Sequence, residues 1–199
     1  MMAFTHLTIG LATSIAILQP KQFKDYLPVF AGAAIGSIIC DFDCRSEKGM
    51  RDALYGRIAA FAIFVIAALV DLIIKGKMTS YIFENKSNKI LLFALVVFIG
   101  TSLGAVFSEH RKFSHSLLAM ILYGVSLCFV CFPLFLPFII GYISHILLDL
   151  TNKKPVLLLW PSEKEFYLKW FYASETANTV FLVIGCIGLV AAIASTIIL

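Results

Sequence analysis

Long apolar runs alternate with short polar breaks along this chain, and the runs have the length of membrane helices rather than of strands. About 20 consecutive apolar residues carry a helix across a bilayer. On that measure the pattern predicts seven helical segments, at residues 4–18, 26–40, 58–74, 90–107, 116–132, 134–150 and 179–199. The first two are short for full spans. The fifth and sixth are separated only by Pro133, with Pro137 close behind, which predicts a tight helical hairpin. Strands of a membrane barrel alternate polar and apolar positions, and these segments do not. A backbone in lipid must also satisfy its own hydrogen bonds. The expected fold is therefore all-α, a polytopic transmembrane bundle of six to seven helices forming a single membrane-embedded domain over residues 1–199.

Residues 152–178 break the pattern. Trp160, Phe166, Tyr167, Trp170, Phe171 and Tyr172 are interleaved with lysines and glutamates. Aromatics mixed with charges belong at headgroup level, so this amphipathic stretch is expected along the membrane interface. The amino end lacks the basic region of a signal peptide, since the first lysine is Lys21, and reads as a retained membrane helix.

Composition agrees with the pattern. Of the 199 residues 60% are hydrophobic and 14% charged, and the mean hydropathy is +0.93. A soluble domain carries about a quarter charged residues, so this chain cannot coat a globule and its partner is the lipid bilayer. The net charge of +4 is scattered, with Arg111-Lys112 and Lys153-Lys154 as its densest pairs. That excludes a nucleic-acid surface and matches basic residues flanking spans. The five cysteines lack secreted-domain spacing. Cys128 and Cys131 lie in an apolar run and read as helix-packing residues rather than a redox pair. Nothing in the sequence sets an oligomeric state.

Alternating helix directions bring the chemistry together. The start of the first helix, the end of the second, the loop between the fourth and fifth and the end of the sixth share one membrane face. Those places hold His6; Asp41 and Asp43; His110 and His115; and His145 and Asp149, which include all four histidines of the chain. Ten of the sixteen Lys and Arg residues, Arg45 and Lys48 among them, fall on the same side, and Lys86 is one of the six opposite. That excess favours a cytoplasmic site.

Each motif has a bland reading and a chemical one. In H-I-L-L-D, His145 and Asp149 are four apart on one helical face, able to share a metal or simply to bond each other. In E-H-R-K-F-S-H-S, residues 109–116, the two histidines are five apart and need a loop or helix start to converge, with Ser114 or Ser116 suited to an N-cap. The alternative there is a polar turn with incidental histidines. In C-D-F-D-C, Asp41 and Asp43 follow an apolar helix, and in an extended segment both turn towards one cation. Acids at a helix carboxy end oppose its dipole, which points to a local positive charge. Together, three acids and four imidazoles exceed the three protein ligands of one catalytic zinc. Two metals, or one metal with orienting neighbours, both fit.

The ordered set Gly141–Asp149 (G-Y-I-S-H-I-L-L-D), Leu158–Pro161 (L-L-W-P), His110–Ala119, His6 and Asp41-Phe42-Asp43 resembles the YdjM family. The resemblance runs from His6 to Pro161. It implies a bacterial inner-membrane protein and a metal-dependent hydrolase. Three features depart from the family pattern. Cys40 and Cys44 stand where proline and often histidine flank the aspartates. Lys112 replaces the glycine of H-R-G. Pro155 stands where the family has a glycine before L-L-W-P, so that turn is expected to differ. Cys44 either supplies a thiolate, which favours zinc, or leaves that ligand missing.

The leading expectation is a hydrolase holding a divalent metal ion, Zn²⁺ with Mn²⁺ or Mg²⁺ as alternatives, at His6, Asp41, Asp43, His110, His115, His145 and Asp149. Asp43 or Glu109 would manage protons, and Arg111 would brace a phosphate or oxyanion. The position implies a lipid or lipid-linked ester or phosphoester. Two alternatives stand beside it. One is a metal-free lipid phosphatase with His145 as nucleophile, although the other motifs of that class are absent. The second is a non-enzymatic metal-binding sensor, transporter or scaffold.

Overall fold

The longest apolar runs do become helices, and two of them are packed far more deeply than the rest. The structure, a computed structural model, describes residues 2–44, 47–84, 88–172 and 175–198. Its helices are α1 (Ala3–Leu18), α2 (Phe23–Ile38), α3 (Glu47–Ile74), α4 (Lys77–Glu84), α5 (Asn88–Phe107), α6 (Leu117–Val130), α7 (Phe132–Leu150) and α8 (Glu175–Ile198), with 3-10 turns at Ile39–Asp43 and Phe113–His115. Arg45 and Lys86, counted above on opposite membrane sides, lie outside the described residues, as does the side chain of Lys48.

Among the described residues, five segments are long and apolar enough to cross a membrane: Phe23–Asp43, Arg51–Ile74, Lys89–Phe107, Phe132–Leu150 and Thr176–Ile198. This corrects two expectations. The second segment reaches 21 residues once its 3-10 turn is included, whereas α6 has 14. In the most apolar window of each, 72% of α2 with its turn and 56% of α7 are buried, against 17% for α3, α5 and α8. The first two therefore form the centre, and the other three turn apolar side chains such as Phe61, Phe93 and Ile187 outward, as lipid contact requires.

Small residues let the central pair approach. A Cβ added at Gly36 would lie 2.1 Å from the carbonyl oxygen of Phe138, and one at Gly141 would lie 2.6 Å from that of Ala33. Backbones this close gain dispersion contacts, which drive helix association where lipid removes the hydrophobic incentive. Around them Tyr123, Phe138, Tyr142 and Ile146 fill a core with Ala31 and Cys40.

Three local features differ from the predicted pattern. α3 begins at Glu47 rather than at residue 58, because its first turns are polar and carry no apolar signal. Asp52 in that part accepts the Ala3 amide at 2.7 Å and ties α3 to the start of α1. The short α4 was not predicted. Buried Asp71 anchors it by accepting the Thr79 amide at 2.7 Å and the Thr79 hydroxyl at 2.8 Å. The α6–α7 break falls at Cys131, with φ −158° and ψ 88°, and Pro133 sits in the first turn of α7, where a missing N–H costs nothing.

Among the described residues, no helix follows α7 until α8. Isolated bridges join Asn152 to Phe171 and Val156 to Phe166. This strap reaches back to the 110–117 loop: Leu157 N donates to Arg111 O at 3.0 Å, and Leu117 N to Leu158 O at 2.9 Å. Trp160 packs on Phe113 with ring centroids 5.0 Å apart. The Leu-Leu-Trp-Pro motif thus clamps the loop that carries His110 and His115.

Candidate metal centre

Four chain segments deliver the candidate residues to one point. His6 comes from the first turn of α1, and Asp41 and Asp43 from the 3-10 turn after α2. His110, Arg111, Ser114 and His115 come from the loop before α6, whose N-cap is Ser116, accepting the Ala119 amide at 3.1 Å. His145 and Asp149 come from the last turns of α7, four apart and both buried. All four histidines lie in this one cluster, as the alternating directions require.

The geometry is tight. His115 Nε2 is 3.3 Å from His145 Nε2 and 3.4 Å from Asp149 Oδ2. His6 Nε2 is 3.6 Å from Asp149 Oδ1, and its ring stacks on His145 at 3.7 Å. Asp41 Oδ1 is 3.7 Å from His145 Nε2. Three overlapping groups, His6–Asp41–His145, Asp41–His110–His115 and His115–His145–Asp149, each offer ligand atoms within 4.8 Å of one another, spaced to hold a metal ion.

The surroundings fix which imidazole nitrogens are available. His145 Nδ1 lies 2.7 Å from the carbonyl oxygen of Ser37. A carbonyl only accepts, so Nδ1 carries the proton and Nε2 presents its lone pair. His115 Nδ1 is 3.4 Å from Asp43 Oδ2 and 2.8 Å from Ser114 Oγ, which assigns its proton the same way. Two lone pairs then face each other across 3.3 Å, and three carboxylates surround them. Such an arrangement repels itself unless positive charge sits between the rings. Without a metal that charge is a proton. Burial opposes it on His115, but contacts with Asp149 and Asp43 outweigh burial and raise the pKa to about 9.

Asp43 corrects an expectation. It was expected as a ligand and proton carrier in an extended segment. In the 3-10 turn it points away from Asp41, because residues two apart lie on different sides of such a turn. Its Oδ1 bonds His110 Nδ1 at 2.6 Å. Its Oδ2 accepts the Arg111 amide at 3.1 Å and the Ser114 hydroxyl. A fully buried carboxylate with this many donors orients the histidines, as acids behind metal-bound imidazoles do.

Glu109 is the second correction. Its side chain is 78% exposed and pairs with Lys112 at 2.8 Å, which lowers its pKa from the usual glutamate value. It lies outside the cluster. Arg111 does reach the centre, and both of its terminal nitrogens are engaged: Nη2 meets Asp149 Oδ1 at 3.0 Å and Nη1 donates to Lys154 O at 2.8 Å. Its backbone is left-handed at φ 68°, a strain of about 1–3 kcal/mol held by the amide bond to Asp43. The Lys112 position, glycine in the family pattern, has φ −100°, so the turn forms without one. Cys44 is half-buried and belongs to none of the three groups.

Other participants had weak or no sequence signals. Ser114 was visible only as a capping candidate, and Ser37 acts through its backbone. Tyr142, whose hydroxyl donates to Ser114 O at 2.5 Å, looked like any aromatic in a span. Arg57, donating to Asp41 O at 2.5 Å, lay in a stretch read as a loop.

No curated protein and no solved structure matches the chain. One family does, described as YdjM inner membrane protein, over residues 1–199. With its apolar helices and its His/Asp cluster at one end of the bundle, this chain belongs to the YdjM family of inner membrane proteins.

Proposed function

We propose that the protein is a membrane-embedded metal-dependent hydrolase acting on a lipid-linked ester or phosphoester. The observation that carries the reading is the pair of imidazoles whose Nε2 atoms face each other at 3.3 Å, each with Nδ1 engaged behind it. Tetrahedral zinc with metal–nitrogen bonds of about 2.0–2.1 Å separates its ligands by about 3.3 Å. Imidazole-rich donors suit zinc and disfavour magnesium, which prefers oxygen ligands.

His115, His145 and Asp149 would hold the ion, with His6 and Asp41 completing or extending the set. A divalent cation there supplies Lewis-acid activation of water and of a substrate oxygen. The protein's own residues do the rest. Asp43 holds His110 and His115 in orientation, and Arg111 holds Asp149. His110, whose side chain is 38% exposed, stands at the open edge, where water and a headgroup enter and where a proton can be carried out. The Lys and Arg excess on this side supports a cytoplasmic site.

A metal-free phosphatase with His145 as nucleophile has less support. Its Nε2 faces another imidazole and the carboxylates of Asp41 and Asp149, which would repel a phosphate. The burial of most of the donors favours a structural metal as the second reading, since a closed site leaves no position for water.

Elemental analysis of the purified protein, paired with hydrolysis of lipid phosphoesters before and after chelation, tests the proposal. The expected result is stoichiometric zinc lost from His115→Ala and His145→Ala, with hydrolysis abolished by chelation and restored by zinc. Metal retained in both variants overturns the site. Tightly held metal with no chelator-sensitive hydrolysis overturns the enzyme in favour of the structural reading.

A further inference from the structure

Beside the metal centre, between α2, α3 and α5, lies an apolar cavity of about 460 Å³ with Ile35, Ile38, Phe42, Phe61 and Phe98 in its wall. Its lining holds one polar side chain, Arg57. A second cavity of about 260 Å³ shares Ile35, Phe61 and Phe98 and continues to Gly32, Leu134 and Phe138. The pair follows α2 and the 3-10 turn after it from residue 42 to residue 32, roughly 15 Å at about 1.5 Å per residue. That is half of the roughly 30 Å hydrocarbon core, the depth of one leaflet. α3 packs on α2 and α5 on α6, and Ile58 and Phe61 at the rim are 56% and 66% exposed, so the groove opens sideways to the bilayer.

Arg57 stands where the groove meets the centre. Its Nη2 donates to the backbone oxygen of Asp41 at 2.5 Å, and its guanidinium lies over the Phe42 ring at 5.3 Å. Its Nε is buried without a partner. A guanidinium edge is a rigid fork matched to phosphate, and here one prong is unsatisfied at the mouth of a chain-shaped apolar cavity.

We propose that this groove binds one chain of a phosphate-headed lipid drawn from a single leaflet, with Arg57 gripping the phosphate beside Asp41. The assignment deepens the hydrolase reading by naming its substrate class and rests on it only for the fate of the headgroup.

The test uses the full chain in phosphatidylcholine nanodiscs doped with phosphatidic acid or with diacylglycerol. Retained lipid is read by native mass spectrometry and metal by elemental analysis of the same samples. Wild type should retain phosphatidic acid over diacylglycerol by about tenfold, the scale of one charge-assisted hydrogen bond. Arg57→Gln should erase that preference while still holding a chain. Ile58→Trp, at an exposed position, should block the groove and lose both lipids, with metal content unchanged in each variant. Equal retention of diacylglycerol by wild type, or a preference that survives Arg57→Gln, overturns the proposal. So does a second copy of the protein crosslinking through Phe61 in place of lipid. Phosphatidic acid retained as expected by a protein without metal supports the groove and removes the hydrolase reading, so the two fail separately.

Discussion

Neutralising Asp149 separates the stability of this centre from its metal chemistry. The Asp149 side chain is 2% exposed, with Oδ1 3.0 Å from Arg111 Nη2 and Oδ2 3.4 Å from His115 Nε2. Among the described residues this is the one ion pair of Arg111, and Arg111 Nε is buried without a partner. Asp149→Asn keeps the volume and strands the guanidinium. Removing one partner of a buried pair costs about 3–5 kcal/mol. At about 2–4 °C per kcal/mol for a chain of this size, Tm should fall by roughly 6–20 °C. The assay is thermal unfolding in mild detergent with excess chelator, so that bound metal contributes nothing. Arg111→Met/Asp149→Asn should recover the part of the loss due to the guanidinium, because it is no longer stranded, while neither variant binds stoichiometric metal. A single variant within about 2 °C of wild type, or a double variant no more stable than the single, refutes the reasoning.

Asp43→Asn should leave metal bound but weaken it by about 10–100-fold, the usual effect of losing an orienting acid, measured by competition with a chelating dye. Glu109→Gln should change neither metal content nor hydrolysis, because the side chain is exposed and paired with Lys112; a large loss of activity would return it to the site. Gly36→Ala should cost about 1–3 kcal/mol by overpacking, since its Cβ would sit 2.1 Å from Phe138 O. Because α7 carries His145 and Asp149, the same variant should lower metal affinity, and unchanged Tm and affinity would show that the two helices have room to separate.

How much of this was legible in the sequence follows from the range of each interaction. Apolar run length is a local property, and it announced the spans of α5, α7 and α8 directly. Alternating direction then sent His6, Asp41, His110, His115, His145 and Asp149 to one face, because helices that cross a membrane have only two ends to choose from. The i, i+4 placement of His145 and Asp149 was equally local. Polar anchors were not legible. The start of α3 depends on Asp52 meeting the Ala3 amide 49 residues away, and α4 on Asp71 meeting the Thr79 amide across a turn that no apolar run marks. Tertiary structure alone separated ligands from their supports. Asp41 and Asp43 are the same residue type two positions apart, and only the 3-10 turn, with the loop it meets, aims one at the cluster and buries the other behind His110 and His115. Glu109 and Arg57 show the same limit from opposite sides. The acid beside His110 turns to solvent and Lys112, while an arginine from another helix closes on Asp41, because a side chain's partners are set by which segments pack together and not by its neighbours along the chain.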